Sequence, residues 1–93
     1  MVELISDKIE FRGIPLSCLG MYFEELGGIK ITKSFPILYE GTDWRAEILY
    51  EDELMFTSIF KVNRVCIRFS AETSNTLDEL IKNYRYKTTR IGG

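Results

Sequence analysis

The sequence predicts an α+β domain: a curved antiparallel sheet of about five strands with two helices on one face, in the order β-α-β-β-β-β-α. Three observations predict it. Residues 15–26 and 76–89 space their apolar side chains as helices do. Between them, residues 29–70 alternate apolar and polar side chains with period two, broken by short turn-forming clusters. The 93 residues hold no linker, repeat or low-complexity stretch, so residues 1–93 read as one domain.

The first strand covers residues 3–12, where Ile9 and Phe11 alternate with Lys8, Glu10 and Arg12 before Gly13 ends it. The first helix runs over 15–26. Pro15 suits its first position, where a missing N–H leaves nothing unpaired. Leu16, Leu19, Phe23 and Leu26 form its stripe, and Gly27-Gly28 stops it. A long strand is expected over 29–40, with Ile29, Ile31, Phe35, Ile37 and Tyr39 on one face. Pro36 requires an edge or a bulge there. After the turn at Glu40–Asp43, Trp44, Ala46, Ile48 and Tyr50 alternate as a third strand. Glu51-Asp52-Glu53 reads as an acidic turn. Residues 54–62 make a fourth strand, with Phe56, Phe60 and Val62 on one side. After a break at Asn63, Val65, Ile67 and Phe69 alternate with Arg64, Cys66, Arg68 and Ser70 in a fifth. The last helix is expected over 76–89, opened by a Thr76–Glu79 capping box and striped by Leu77, Leu80, Ile81 and Tyr84. Ile91-Gly92-Gly93 reads as a tail. Two helices cover one face of such a sheet, so Arg45, Glu47, Arg64, Cys66 and Arg68 belong to the other.

Composition excludes more chemistry than it offers. There is no histidine, which removes Ser-His-Asp and Cys-His nucleophiles and nearly every zinc site. Cys18 and Cys66 lie far apart in no CxxC, so no metal site, no cofactor and two free thiols are expected. The start of the chain lacks the basic and apolar regions of a signal peptide, and no apolar run is long enough to span a bilayer. A soluble cytoplasmic protein follows, without a membrane partner. Twelve basic against fourteen acidic residues give a formal charge of −2, against the basic excess of a nucleic-acid binder. The aromatic candidates for base stacking, Trp44, Tyr50 and Phe69, alternate onto the core face, away from the arginines.

Four features remain as candidate sites. Arg45, Arg64 and Arg68 make an anion-binding or partner-binding patch on the open sheet face. Lys82, Arg85, Lys87 and Arg90 give the last helix a basic end, which equally suits the macrodipole. Cys66 stands two residues from Arg64 and from Arg68, a spacing that flanks its thiol with guanidiniums. It has no general base, so no catalytic residue is assigned. Gly92-Gly93 is the ending used by sulfur carriers and ubiquitin-like modifiers, whose carboxylate is threaded into a narrow adenylating site. The order of elements is unlike the β-grasp of such carriers, which has two strands before its helix and a strand leading into the tail.

The segments Ile9-Glu10-Phe11-Arg12-Gly13-Ile14-Pro15, Leu26-Gly27-Gly28 and Val65-Cys66-Ile67-Arg68-Phe69, with the basic close Lys87-Thr88-Thr89-Arg90, carry a family resemblance. With the element order, they resemble the C-terminal domain of proteins related to MoaD, the small sulfur-carrying subunit of molybdopterin synthase. The resemblance implies a curved sheet of the TATA-binding-protein-like kind. It also implies a place near molybdenum-cofactor or sulfur metabolism. In that family the sulfur-carrying work belongs to an N-terminal β-grasp domain, so the resemblance brings no catalytic residue with it. The expectation is therefore a small non-enzymatic interaction or accessory module, a monomer or homodimer that binds a protein or itself. A carrier acting through Gly93 and an anion-binding module are the alternatives.

Overall fold

A computed structural model describes residues 4–55 and 57–92, with side chains through Thr89. The elements are β1 (Ile5–Arg12), α1 (Leu16–Glu25), β2 (Ile29–Lys30), β3 (Ile37–Glu40), β4 (Trp44–Met55), β5 (Lys61–Ala71) and α2 (Ser74–Gly92). This is the expected order, and the five strands form one open sheet, β1-β5-β4-β3-β2, antiparallel throughout. β2 to β5 are a meander of hairpins. β1 lies at the far edge because α1 carries the chain across the sheet from β1 to β2.

That crossing puts α1 on the same face as α2. Phe11, Ile48, Val65, Ile67 and Phe69 from the sheet meet Leu19, Phe23, Leu77, Leu80 and Tyr84 from the helices in one core cluster. Apolar burial of this kind supplies most of the folding free energy. Tyr84 sits at the centre, its ring stacked on Phe23 at 4.2 Å between centroids. Its hydroxyl donates to the Leu19 carbonyl at 2.6 Å, tying α2 to α1.

Four boundaries differ from those expected. Residues 29–40 are not one strand but a hairpin, in which Ile29 faces Glu40 and Lys30 faces Tyr39. Ile29 and Ile31 therefore leave the face of Ile37 and Tyr39 and are exposed. The hairpin is held by Thr32, whose hydroxyl accepts from the Leu38 N–H at 2.9 Å and donates to the Pro36 carbonyl at 2.8 Å. The Phe35–Pro36 bond within it is cis. Glu51–Glu53 is not a turn. β4 continues through it to Met55, with Glu51, Asp52 and Glu53 opposite Val65, Arg64 and Asn63. The turn comes at 57–60, where Thr57 accepts through its hydroxyl from the N–H groups of Ile59 and Phe60. Of the apolar row expected over 54–62, Phe60 is in this turn and Phe56 is outside the described residues. Finally, the capping box at Thr76 is not used: α2 starts two residues earlier, at Ser74, with the Thr73 hydroxyl accepting from the Thr76 N–H at 3.2 Å.

A fifth difference changes the faces of β4. Ile48 pairs with Ile67, but Tyr50 pairs with Cys66, so Leu49 is the extra residue of a β-bulge. Beyond it every β4 side chain changes face. Tyr50 leaves the core for the open face, and Asp52 comes to face Arg64. Deleting Leu49 would place Tyr50 directly after Ile48 and restore a regular ladder with the same partners. The shortened chain should fold with the Arg64–Asp52 pair intact and lose no more than about 2 kcal/mol, the usual range of single substitutions. Urea denaturation and nuclear Overhauser contacts between residues 52 and 64 check this. An unfolded variant would mean the bulge itself is required.

Candidate functional site: the open sheet face

The face without helices is a lattice of cross-strand charges. In successive rows it presents Ser6, Ser70, Arg45 and Glu40; then Lys8, Arg68, Glu47 and Leu38; then Glu10, Cys66 and Tyr50; then Arg12, Arg64 and Asp52. All five residues expected on this side are there. The three arginines of the expected anion patch lie on adjacent strands, but each is turned to a carboxylate. Arg45 reaches Glu40 at 3.1 Å and Arg68 reaches Glu47 at 3.7 Å. Arg64 grips Asp52 with two donors, Nε at 2.8 Å and Nη2 at 2.5 Å, and lies 3.6 Å from Glu10. Arg12 shares that glutamate at 3.2 Å. An acid beside each arginine offsets its attraction for an incoming anion.

The Arg64–Asp52 pair is the best-formed of these, because its two parallel bonds match a guanidinium to a carboxylate. The hydrogen bonds from Arg64 hold the Asp52 carboxyl below its ordinary range. Arg64→Gln should return the Asp52 titration midpoint upward, measured by carbon-detected NMR of the side-chain carboxyl. An unchanged midpoint would show that the pair does not form in solution.

Cys66 is buried, between Glu10 on β1 and Tyr50 on β4. Its two flanking arginines are present as expected, Arg64 beside Asp52 and Glu10 and Arg68 beside Glu47. The Tyr50 hydroxyl is pushed above its ordinary range, first by the charge its Cys66 neighbour would carry as a thiolate, then by burial. Both cysteines are free. Tyr50 corrects the expectation that aromatics keep to the core face: it stands among the arginines, 45% exposed.

The basic end of α2 is not one surface. Lys82 and Arg85 are exposed, while Lys87 turns to α1 and pairs with Glu25 at 2.6 Å. The side chain of Arg90 is outside the described ones. The expected tail is helical through Gly92, and Gly93 lies outside the described residues. Among the described residues no group of three or more His, Cys, Asp or Glu side chains is placed to hold a metal. No helix there is long and apolar enough to cross a membrane.

Two features were not read from the sequence. A groove of about 360 Å³ runs between α1 and the β2–β3 side of the sheet, lined by Leu16, Met21, Ile37 and Ile48 with Tyr39 and Lys30. Burial, with Glu24 beside it, raises the Tyr39 phenol above its ordinary range. The β4–β5 ribbon also extends past its neighbours, since β1 ends opposite Arg64 and β3 opposite Ile48. Met55, Ile59 and Phe60 are exposed at its end. Thr57-Ser58 inside an apolar run was the available signal for that turn.

No curated protein and no solved structure matches the chain significantly. A family model does, described as archaeal MoaD-like protein, and the match runs over residues 7–93. It spans the chain from Asp7 in β1 onward, including β4 and β5, which bear the three arginines of the expected patch. By that match the chain belongs to the archaeal MoaD-like family.

Proposed function

We propose that this chain is a non-enzymatic accessory module of molybdenum-cofactor or sulfur metabolism, working in the cytoplasm by binding protein, a second copy of itself included. The observation that carries the reading is the open sheet face, a broad surface of alternating charges with its arginines already matched to acids. Such a surface offers a protein partner complementary charge and register. It offers a nucleic acid no basic stripe and a small anion no unpaired clamp. Membership of the MoaD-like family supports the metabolic setting. Light scattering after size exclusion, at two salt concentrations, tests the reading together with binding of the immobilised chain to purified molybdopterin-synthesis and sulfur-transfer proteins. Self-association or saturable binding is expected. A strict monomer that binds none of them overturns it.

The family match and the terminal Gly92-Gly93 favour a second reading, a sulfur carrier activated at the Gly93 carboxylate. Incubation with ATP, an adenylating enzyme and a sulfur donor decides it by intact mass. Replacement of one oxygen by sulfur would establish the carrier, and an unchanged mass removes it.

A further inference from the structure

β1 is the long open edge of the sheet; β2, at the other edge, has two residues. The β1–β5 register continues to Gly13, whose N–H donates to the Asn63 carbonyl at 3.0 Å. Hydrogen-bonded pairs alternate along an antiparallel ladder. Ile5, Asp7, Ile9 and Phe11 therefore turn their backbone groups toward β5. Ser6, Lys8, Glu10 and Arg12 turn theirs outward, where they are available to another strand. An edge of this length with exposed backbone groups is a template for strand addition.

We propose that β1 pairs antiparallel with β1 of a second copy, in the register centred on Ile9, making one continuous sheet across the two chains. The inference rests on the reading of the chain as an interaction module and names its surface. Charge selects the register. A two-fold axis perpendicular to the sheet keeps both open faces on one side, so each residue meets one of its own face. Three such registers overlap most of β1. Centring on Lys8 sets that lysine against its own copy. Centring on Glu10 sets Glu10 against Glu10 and Lys8 against Arg12. Centring on Ile9 sets Lys8 against Glu10 twice, Arg12 against Ser6 twice, and Ile9 against Ile9 on the helix side. Like charges directly opposite destabilise a pair of strands and opposite charges stabilise it. Glu10 already faces Arg12 and Arg64, but a carboxylate has about four acceptor sites, so the lysine adds to them. A strand that set like charges opposite Lys8, Glu10 or Arg12 would be repelled.

Sedimentation of the full chain over a concentration series, with cysteine variants in a Cys18→Ser, Cys66→Ser background, tests this. Ile9 and its copy would form a non-hydrogen-bonded pair with Cα atoms about 4.5 Å apart, within the range of a disulfide. Ile9→Cys should therefore yield a cross-linked dimer under mild oxidation while Lys8→Cys does not. Lys8→Pro removes an outward N–H and leaves the β5 ladder whole. It should keep the wild-type circular dichroism and weaken the dimer at least about tenfold, the loss of one or more net hydrogen bonds. If that variant misfolds, Lys8→Glu decides, since it sets glutamate against Glu10 and must weaken the dimer likewise. A dimer that cross-links through Lys8→Cys, or that a folded Lys8 variant leaves unchanged, overturns the β1 pairing but leaves self-association standing. A chain monomeric at every concentration overturns the pairing, and binding to other proteins then decides the wider reading alone.

Discussion

Tyr84→Ala is expected to lower the unfolding free energy by roughly 3–5 kcal/mol, the range for removing a buried aromatic ring. A domain of this size has about 5–14 kcal/mol in all, so the variant should be partly unfolded at 37 °C. The reason lies in where the ring sits. It is fully buried, stacked on Phe23 at 4.2 Å, with Phe69 at 5.2 Å and Phe11 at 5.4 Å edge-on. These rings come from α1, β5 and β1, so one cavity loosens three elements. Tyr84→Phe keeps the ring and deletes only the hydroxyl bond to the Leu19 carbonyl, so it should cost about 1 kcal/mol. Urea midpoints of the two variants separate the contributions, and a Tyr84→Ala protein as stable as wild type would refute this packing.

The same residue sets a dependence on pH. Burial holds the Tyr84 phenol far above its ordinary value of 10.0. In the unfolded chain the phenol ionises near its ordinary value, while in the folded chain it stays neutral. The unfolded state therefore binds fewer protons as pH rises, and stability falls. The contribution is whole below the unfolded pKa and is lost as pH climbs toward the folded one. Stability should decline above about pH 10, and Tyr84→Phe should flatten that decline. Tyr39, raised in the same direction, leaves a residual slope. Denaturation midpoints in parallel alkaline buffers check it; an equal slope in both proteins would assign the effect elsewhere.

The architecture was legible because its signals are local. Leu16, Leu19 and Phe23 declare a helix at their own spacing, and Val65, Ile67 and Phe69 declare a strand. From these the element order and the residues of the open face follow. What the sequence conceals depends on a partner strand. Leu49 is a bulge only relative to Ile67 and Cys66, so Tyr50 looked like one more core residue in an unbroken alternation. Glu51-Asp52-Glu53 has the composition of a turn, yet Asp52 is placed in a strand by Arg64, twelve residues away. The site was partly legible for the same reason. Alternation put Arg45, Arg64 and Arg68 on one face, but their pairing with Glu40, Asp52 and Glu47 is a matter of register. Three unpaired arginines would have meant an anion site; three paired ones make the face of alternating charge on which the proposed docking rests.

Gly28→Ala should destabilise the fold by about 2–3 kcal/mol, although it adds one methyl group. Overpacking in a filled site costs in this range. The added Cβ would lie 2.6 Å from a ring carbon of Trp44 and 2.9 Å from the Phe23 carbonyl oxygen. The ring could move. The carbonyl is less free, because it accepts the N–H of Gly28 itself at 2.8 Å, closing the end of α1. Relief must come from a shift of the last turn of α1 against β4, and that turn carries Phe23, which packs on both Trp44 and Tyr84. Trp44 is the one tryptophan in the chain, so its fluorescence reports the displacement directly. Trp44→Phe in the same protein removes the nearer ring contact and leaves the carbonyl contact. A double-mutant cycle should therefore recover part of the loss, on the order of 1 kcal/mol, and not all of it. Full recovery would place the whole conflict at the indole; a Gly28→Ala protein with wild-type stability and emission would show that the helix end yields freely.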